Sequence, residues 1–204
     1  MQIIADLHIH SGYARACSPQ LTIENIDIWA KKKGIDVISV ADFTHPGRFK
    51  EMKEVLVDQG NGLYKVKGSN IGTQFIMGTE VSCIYRHRDK TRRLHLCLFL
   101  SSIEKVAEFN KGLTSRGGKL KSDGRPILGM SAKDILKLVM EIDTVGFVVP
   151  AHIWTPWFAI FGSKSGYDSM EECFEELTSE IKAVETGLSS DPPMNWQWSA
   201  LEAL

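Results

Sequence analysis

Six histidines occur in the 204-residue sequence, and five of them lie at or near the ends of short apolar runs that predict β-strands. These five are His8, His10, His45, His95 and His152. In parallel α/β folds, functional sites assemble at the carboxyl ends of the strands. Five unrelated core histidines would each need a separate buried hydrogen-bond partner, whereas a shared metal site accounts for all of them together.

His8 and His10 form an H-x-H pair directly after the first apolar run. On an extended segment, side chains alternate between faces, so both imidazoles point the same way and can bind one ion. Asp6 is a candidate acceptor for the second ring N–H of such a ligand. H-x-H also occurs often by chance, so the pair alone is consistent either with a metal site or with a chance occurrence.

Further candidate ligands follow the other predicted strands. Asp42 and His45 come after the second, although a helix N-cap at Thr44 beside a solvated histidine fits the same residues. Glu80 ends the third and needs a cation, a metal or exposure, because burying an unpaired carboxylate is costly. The remaining candidates are His95, which could also be a core histidine, and His152.

Nitrogen and oxygen ligands of this kind favour two or three divalent ions, Zn²⁺, Mn²⁺ or Fe²⁺ more than Mg²⁺. Such clusters hydrolyse phosphate esters by polarising the phosphoryl oxygens, supplying hydroxide near neutral pH and stabilising the leaving oxygen. No side-chain nucleophile is then needed. The predicted catalytic residues are His8, His10, Glu80 and His152.

The pattern of elements predicts an α/β fold, barrel-like or doubly wound, with a parallel sheet. Strands are predicted at 2–7, 36–41, 74–83, 94–100, 145–150 and 181–185. Helices are predicted at 23–33, 46–58, 102–111, 131–142 and 168–178, and from about 195 onward. Residues 60–72 and 112–129 are expected to form loops, and 86–93 a hairpin or loop. A barrel that stops after the last helix would lack its closing strand and leave an open edge.

Composition excludes several classes of protein. With 24 Lys and Arg against 25 Asp and Glu, the chain is neither a strongly basic nucleic-acid binder nor an acidic tail. No apolar run reaches the ~20 residues of a membrane span. The four cysteines are scattered without a C-x-x-C pair, which argues against a disulfide framework and for a reduced, cytoplasmic protein.

The order of these motifs resembles the PHP (polymerase and histidinol phosphatase) superfamily. The matching segments are residues 6–11 (DLHIHS), 41–45 (ADFTH), 78–80 (GTE), 94–96 (LHL) and 150–152 (PAH). The resemblance implies a distorted (β/α)7 barrel with a trinuclear metal site. The implied metal ligands are His8, His10, Asp42, His45, Glu80, His95 and His152.

Within that superfamily the sequence is most similar to endonuclease Q. Residues 8–13, 18–22, 42–46 and 122–129 carry the likeness, together with three long and unusual strings, 152–157 (HIWTPW), 161–166 (FGSKSG) and 185–196 (ETGLSSDPPMNW). The likeness implies a DNA-repair enzyme that nicks DNA 5′ to a deaminated base (uracil, hypoxanthine or xanthine) or an abasic site. Residues 1–204 are then expected to be one PHP domain, the N-terminal part of a longer protein.

Two departures from the family pattern affect these expectations. Cys17 stands where many PHP domains carry an aspartate ligand, and the closing D-x-H motif of the superfamily is absent from the chain. We therefore expect this chain alone to bind metal incompletely and to have weak activity or none.

Several residues are candidates for DNA contacts. Two basic segments, 86–93 and 111–125, suit phosphate contacts, although both could be solvated loops. Aromatic residues after His152, Phe158 among them, suit stacking on an extruded base or simple packing within their loop. The predicted substrate-binding residues are Ser11, Arg15, Arg125, Trp154, Trp157, Phe161 and Lys164.

Two other functions remain open on the sequence. One is a small-molecule PHP phosphoesterase similar to histidinol phosphatase. The other is a PHP module that has lost catalysis and serves as a structural or interaction domain. The retained His8, His10, Glu80, His95 and His152 argue against the second, and Cys17 and the absent final motif argue for it.

Overall fold

The computed structural model of the chain describes residues 2–187, 191–198 and 201, and shows a mixed α/β fold. Its strands are β1 (Ala5–Asp6), β2 (Val37–Ser39), β3 (Leu56–Asp58), β4 (Tyr64–Val66), β5 (Gln74–His87), β6 (Lys90–Leu100), β7 (Ile127–Leu128) and β8 (Phe147–Pro150). Its helices are α1 (Ile23–Lys33), α2 (Pro46–Val55), α3 (Ile103–Ser115), α4 (Ala132–Ile142), α5 (Met170–Phe174) and α6 (Asp191–Gln197). A 3-10 segment covers Glu175–Glu180.

The chain divides into two compact units. Unit 1 contains Met1–Glu80 and Phe99–Pro126, and unit 2 contains Val81–Leu98 and Ile127–Leu204. The long strands β5 and β6 each run from one unit into the other.

In unit 1, strands β1, β2 and β5 are parallel, β4 pairs antiparallel with β5, and β3 pairs antiparallel with β4. Asp6 is in register with Ile38, and Ile38 with Phe75. Because parallel strands end at the same edge, the segments that follow β1 and β2 come out beside the middle of β5. This register positions the residues of the first and second histidine motifs.

In unit 2, β5 and β6 form a hairpin whose two-residue turn is Arg88–Asp89, with φ values of +49° and +60°. Two successive positive φ values give the turn the twist that a tight hairpin requires. β7 pairs in parallel with β5, and β8 pairs with β6. The predicted strands at 74–83 and 94–100 are therefore longer than expected, and most of the basic segment 86–93 is strand.

Two helix ends follow the sequence signals closely. The Thr22 side chain accepts the Asn25 N–H at the start of α1, and Gly34 ends the helix in the left-handed conformation at φ +71°. At the start of α4, Ser131 and Asp134 form a reciprocal capping box.

Other predicted elements were wrong in part. The run at 56–58 is strand β3 rather than the end of a helix, and the expected loop 60–72 contains β4, because both strands pair within the unit 1 sheet. The helix predicted at 168–178 is interrupted where Glu175 has φ +52°. Residues 181–187 form no strand in the described structure, although the Glu185 N–H donates to the Pro150 carbonyl.

The final helix begins at Asp191 rather than near 195, and residues 199, 200 and 202–204 lie outside the described residues. The sheet is mixed rather than all-parallel. The α/β class is confirmed, while the (β/α)7 barrel and its absent closing strand stay predictions. Among the described residues, the helices are all too short or too polar to cross a bilayer.

Candidate metal centre

Three predicted ligands of unit 1 lie together. His8 Nε2 is 3.4 Å from Glu80 Oε1, and His10 Nε2 is 3.2 Å from Glu80 Oε2. One ligand atom from each residue lies within 4.8 Å of the others. The two imidazoles are about a quarter exposed or less, whereas the Glu80 side chain is almost completely buried. The H-x-H pair and the carboxylate therefore form one group with a buried side and an open side.

The donors of this group fit a divalent cation such as Zn²⁺. Metal–ligand bonds of about 2.0–2.2 Å require donor atoms roughly 3–4 Å apart around one ion, which matches the nitrogen–oxygen distances here. Two imidazoles and a carboxylate are also the ligand types that Zn²⁺, Mn²⁺ and Fe²⁺ accept. Glu80 lies inside β5 rather than at its end, between the residues that pair with β2 and those that pair with β7.

Asp42 holds the first histidine motif in place. Its carboxylate accepts hydrogen bonds from the Ser11 backbone N–H at 2.6 Å and the Ser11 hydroxyl at 2.7 Å. Its other oxygen is 3.0 Å from His10 Nδ1. A carboxylate on the second ring nitrogen orients a ligand imidazole and makes it a better donor. Asp42 thus contacts the ligand, and Ser11, predicted to bind substrate, is fully buried beneath it.

The backbone at Asp42 is strained. Ala41 and Asp42 both have positive φ, +58° and +50°, a conformation that costs non-glycine residues free energy. Gly124 packs against this turn, and a Cβ there would lie 2.6 Å from the Asp42 carboxylate. Thr44 donates to the Gly124 carbonyl at 3.3 Å. The 122–126 segment therefore needs a glycine where it meets the aspartate.

Hydrogen bonds to Asp42 and Glu80 raise the pKa of His10 to about 9, although partial burial opposes the shift. Two carboxylates beside one imidazole favour its protonated form. A cation between the same groups would replace that proton, since ligand imidazoles bind metal in the neutral form.

His45 caps helix α2 instead of facing the group of His8, His10 and Glu80. Its Nδ1 accepts the Gly47 N–H at 3.1 Å, and its ring stacks on Tyr13 at a centroid distance of 4.5 Å. The expected N-cap at Thr44 is thus one residue early. Metal ligation by Asp42 and His45 stays a prediction.

Cys17 and His10 both line a cavity of about 650 Å³ in unit 1. The thiol is partly exposed, and desolvation raises its pKa. Asp6, expected to accept a hydrogen bond from a ligand imidazole, lines the same cavity.

Two further predicted ligands meet in unit 2. His95 Nδ1 is 3.3 Å from His152 Nε2, and the His95 ring packs on Phe158 at 4.6 Å. His152 also has positive φ, at +31°. His95 lies inside β6, within the predicted apolar run, and His152 lies in the turn after β8, at the strand-exit position that the sequence predicts for it.

Thr155 fixes the tautomer of His152. The Thr155 hydroxyl lies within hydrogen-bond distance of two backbone carbonyls and of His152 Nδ1 at 2.9 Å. When its one proton goes to a carbonyl, the hydroxyl accepts from Nδ1–H, and the lone pair of the ring is then on Nε2, which lies 3.3 Å from His95 Nδ1. That is the form in which a histidine binds metal.

Sequence reasoning missed Glu185, whose Oε2 accepts the His152 backbone N–H at 2.7 Å. It also missed Trp198, which packs against Trp154 and Phe161 at 5.4 and 5.1 Å. Trp154 donates its ring N–H to Asn195. The unusual string at 185–196 was the earlier signal for Glu185 and Asn195, and Trp198 lies just beyond it.

The aromatic residues after His152 therefore play different roles. Trp154 and Phe161 pack with each other at 5.2 Å, and Phe158 covers His95. Trp157 is half exposed beneath Arg93, whose guanidinium carbon is 5.5 Å from the ring centre. Among these four, Trp157 has the most accessible face for stacking.

Of the basic residues predicted to contact DNA, some contact carboxylates of the chain and others are exposed. Arg125 donates to Glu80 Oε2 at 3.1 Å, and the exposed Arg15 donates its backbone N–H to Asp123. Arg88 pairs with Glu172, while Lys164 is exposed.

No family model matches the chain. Among solved structures, the lesion-specific endonuclease PfuEndoQ from Pyrococcus furiosus is 28% identical over 94% of the chain, with a TM-score of 0.77. Endonuclease Q in complex with a 27-mer duplex carrying an abasic lesion at its active site is 28% identical over 98% of the chain, with a TM-score of 0.81.

The chain resembles endonuclease Q. An uncharacterized protein of Methanocaldococcus jannaschii is 32% identical over 74% of the chain, and one of Bacillus subtilis is 29% identical over 95%. The chain spans 50% of the Bacillus protein, 16% of the Methanocaldococcus protein and 44–46% of the two endonuclease Q chains. The relatives it matches are thus at least about twice as long.

Proposed function

We propose that this chain is the metal-binding part of a DNA-repair endonuclease that nicks the phosphodiester 5′ to a deaminated base or an abasic site. The observation that carries the proposal is the group of His8, His10 and Glu80 in a chain that resembles endonuclease Q over 94–98% of its length. The solved complex with an abasic duplex supports damaged DNA as the substrate class. Uracil, hypoxanthine and xanthine are further substrates that we propose.

Each residue of the centre has a defined task. His8, His10 and Glu80 would hold a divalent cation, with His95 and His152 as further ligands in unit 2. When bound, two or three such ions supply a Lewis acid for the phosphoryl oxygens and an activated water. Asp42 orients the His10 ring through Nδ1, and Thr155 keeps the His152 lone pair on Nε2.

Arg125 also belongs to this proposal. Its guanidinium is partly exposed and lies 3.1 Å from Glu80. With a cation on Glu80, the carboxylate charge would be shared, and the guanidinium would be free to pair with a substrate phosphate. We propose Arg125 as a phosphate contact near the scissile bond, and residues 1–204 as one functional domain of a longer protein.

The proposal is tested by nicking under single-turnover conditions, with the chain in excess over a labelled duplex that carries one uracil or one abasic site. We expect weak, metal-dependent nicking on the 5′ side of the lesion and none of undamaged DNA. Glu80→Gln should lower the rate by more than the about 10–100-fold typical of losing a residue that supports a ligand. Glu141→Gln, on the exposed face of α4, is the matched control.

Metal content and a phosphomonoester assay separate the alternatives. Hydrolysis of the phosphomonoester without nicking would support a small-molecule phosphoesterase instead. A chain that binds no metal would indicate a structural or interaction module. Absence of both nicking and lesion-selective DNA binding in a metal-loaded chain would contradict the proposal.

A further inference from the structure

Besides the cavity in unit 1, the structure has a cavity in unit 2, and its lining residues include no histidine. Its volume is about 310 Å³, and it lies between the start of β6 and the loop of residues 161–168. Three cationic side chains and one carboxylate face it: Lys90, Arg92, Lys164 and Asp168. The cavity therefore has an excess of positive charge in a chain whose overall charge is close to zero.

Arg92 is the buried member of this set. It is 6% exposed, its guanidinium carbon is 4.0 Å from the ring centre of Tyr167, and Nη1 donates to the Gly166 carbonyl. Its Nε–H has no acceptor, and no carboxylate forms an ion pair with it, among the residues that the structure describes. A buried guanidinium with an unused donor is unfavourable unless an anion completes its hydrogen bonds.

Lys90 and Lys164, the two lysines that line the cavity, form no ion pair within the described residues. Neighbouring Arg86 and Arg88 on the same hairpin pair with Asp89 and Glu172. Lys90 and Lys164 are exposed, and within the described parts of the chain neither ammonium group has an ion-pair partner. Lys90, Arg92 and Lys164, which line the cavity, thus lack an ion-pair partner among the described residues, whereas nearby Arg93 lies over the Trp157 ring.

The loop across the cavity is held by its own backbone. The Gly166 N–H donates to the Gly162 carbonyl at 2.8 Å, and the Ser165 hydroxyl donates to the Arg93 carbonyl at 3.2 Å. A Cβ at Gly166 would lie 2.5 Å from the Ile160 carbonyl oxygen, so the close packing requires glycine. Because these backbone contacts already hold the loop, binding there needs little further ordering of it.

We propose that this cavity binds a phosphate of the DNA backbone, away from the scissile bond. The inference rests on the proposed function, which supplies DNA as the partner. Phosphodiester oxygens match the donors present, since a guanidinium and ammonium groups are the usual partners of phosphate. A volume near the lower end of ligand pockets suits a phosphate with part of its sugar rather than a base pair. Inorganic phosphate has the same chemistry and must be distinguished by experiment.

The test is DNA affinity as a function of salt concentration, measured by fluorescence anisotropy in EDTA so that no strand is cut. The Lys90→Ala/Lys164→Ala variant should bind an abasic duplex about tenfold more weakly at about 50 mM salt, and its log–log salt slope should fall by about 1, the value for one phosphate contact. The matched control, Lys137→Ala/Lys182→Ala, removes two other exposed lysines of unit 2 and should leave both quantities unchanged. Both pairs are on the surface, so folding is preserved, and circular dichroism checks it.

The outcomes separate this inference from the proposed function. If the Lys90→Ala/Lys164→Ala variant binds DNA as tightly as the wild type, the phosphate subsite is wrong. The endonuclease proposal is not affected by that result. A wild-type chain that binds no DNA in EDTA overturns the phosphate subsite, and one that also neither binds nor nicks lesion DNA when loaded with metal overturns both. Phosphorus NMR measures binding of inorganic phosphate to the wild type and to the variant. If the variant no longer binds inorganic phosphate but has the DNA affinity of the wild type, the cavity is a site for free phosphate and the DNA subsite is wrong.

Discussion

Asp42 is fully buried, yet its carboxylate accepts hydrogen bonds from the Ser11 N–H, the Ser11 hydroxyl and the His10 ring. These contacts join the segment after β2 to the segment after β1. Charge-assisted hydrogen bonds offset the free-energy cost of burying the Asp42 carboxylate. The backbone at Asp42 has a positive φ, which aspartate tolerates better than most residues. It is therefore a positioning residue for the imidazole that Glu80 contacts.

Replacing Asp42 tests this role. Asp42→Ala should lower the free energy of unfolding by about 2–3 kcal/mol, because it leaves the buried Ser11 donors without an acceptor. Asp42→Asn should cost clearly less, since an amide oxygen can still accept from Ser11 and asparagine tolerates positive φ. Urea unfolding in EDTA measures both. Equal losses in the two variants would show that the hydrogen bonds are not what stabilises the turn.

The raised pKa of His10 gives a prediction for the metal-free chain. With a pKa of about 9 in the folded chain and an ordinary value of 6.5, protonated His10 stabilises the fold fully below pH 6.5. That contribution should decrease as the pH rises from 6.5 to 9. The measurement is the urea midpoint across this range in EDTA.

Asp42→Asn is the control for the pH dependence, because hydrogen bonding to Asp42 is the largest cause of the shift. The decrease between pH 6.5 and 9 should become smaller in that variant. A slope identical to that of the wild type would assign the pH dependence to another group.

At the scale of elements, the site depends on three segments that meet in unit 1. β1 and β2 end side by side, β5 carries Glu80 past them, and the 122–126 segment closes over Asp42. Gly124 also donates its N–H to the Tyr13 carbonyl at 2.9 Å. The segment after α3 is thus part of the site although it carries no ligand.

Gly124→Ala should therefore disturb the centre. The new Cβ would lie 2.6 Å from the Asp42 carboxylate and 2.9 Å from the Ala14 backbone nitrogen. We expect a loss of about 1–3 kcal/mol of unfolding free energy, as for overpacking of a core, with weaker Zn²⁺ binding by calorimetry. Gly129→Ala, in the same stretch but with open space around its Cα, is the control and should change neither. Wild-type behaviour of Gly124→Ala would contradict this packing.

At the scale of the whole molecule, the reactivity of the four cysteine thiols can show how readily each of the two units opens. Cys17, in unit 1, is partly exposed, whereas Cys83, Cys97 and Cys173 are all buried in unit 2. Burial raises the pKa of Cys83 to about 12. None of these four cysteines forms a disulfide, so each thiol can be alkylated once the reagent reaches it.

We expect iodoacetamide at pH 8 to label Cys17 in the native chain and the other three more than about a hundredfold more slowly, because a buried thiol reacts only after local opening. In increasing urea the three should become reactive together if unit 2 unfolds cooperatively. Mass spectrometry of the labelled peptides gives the rates, and Cys17→Ser is the control that should take up no label under native conditions. Separate transitions for the three would show that unit 2 opens in parts.

Much of this could be predicted from residue types and spacing. The H-x-H pair, the caps of α1 and α4 and the strand cores at 36–41 and 94–100 follow from local rules, because each depends on residues within a few positions of one another. The α/β class follows from their order. The resemblance to endonuclease Q also came from strings within the sequence.

Tertiary structure decided the rest, because contacts distant along the chain have no local signature. Strand pairing made β3 and β4 out of an expected helix end and loop, and extended β5 from its expected end at 83 to His87. Packing made His45 a helix cap, and Asp42 a support for His10. The sequence alone determined which side chains could do the chemistry. Their hydrogen-bond partners depend on which elements meet, and long-range packing decides that.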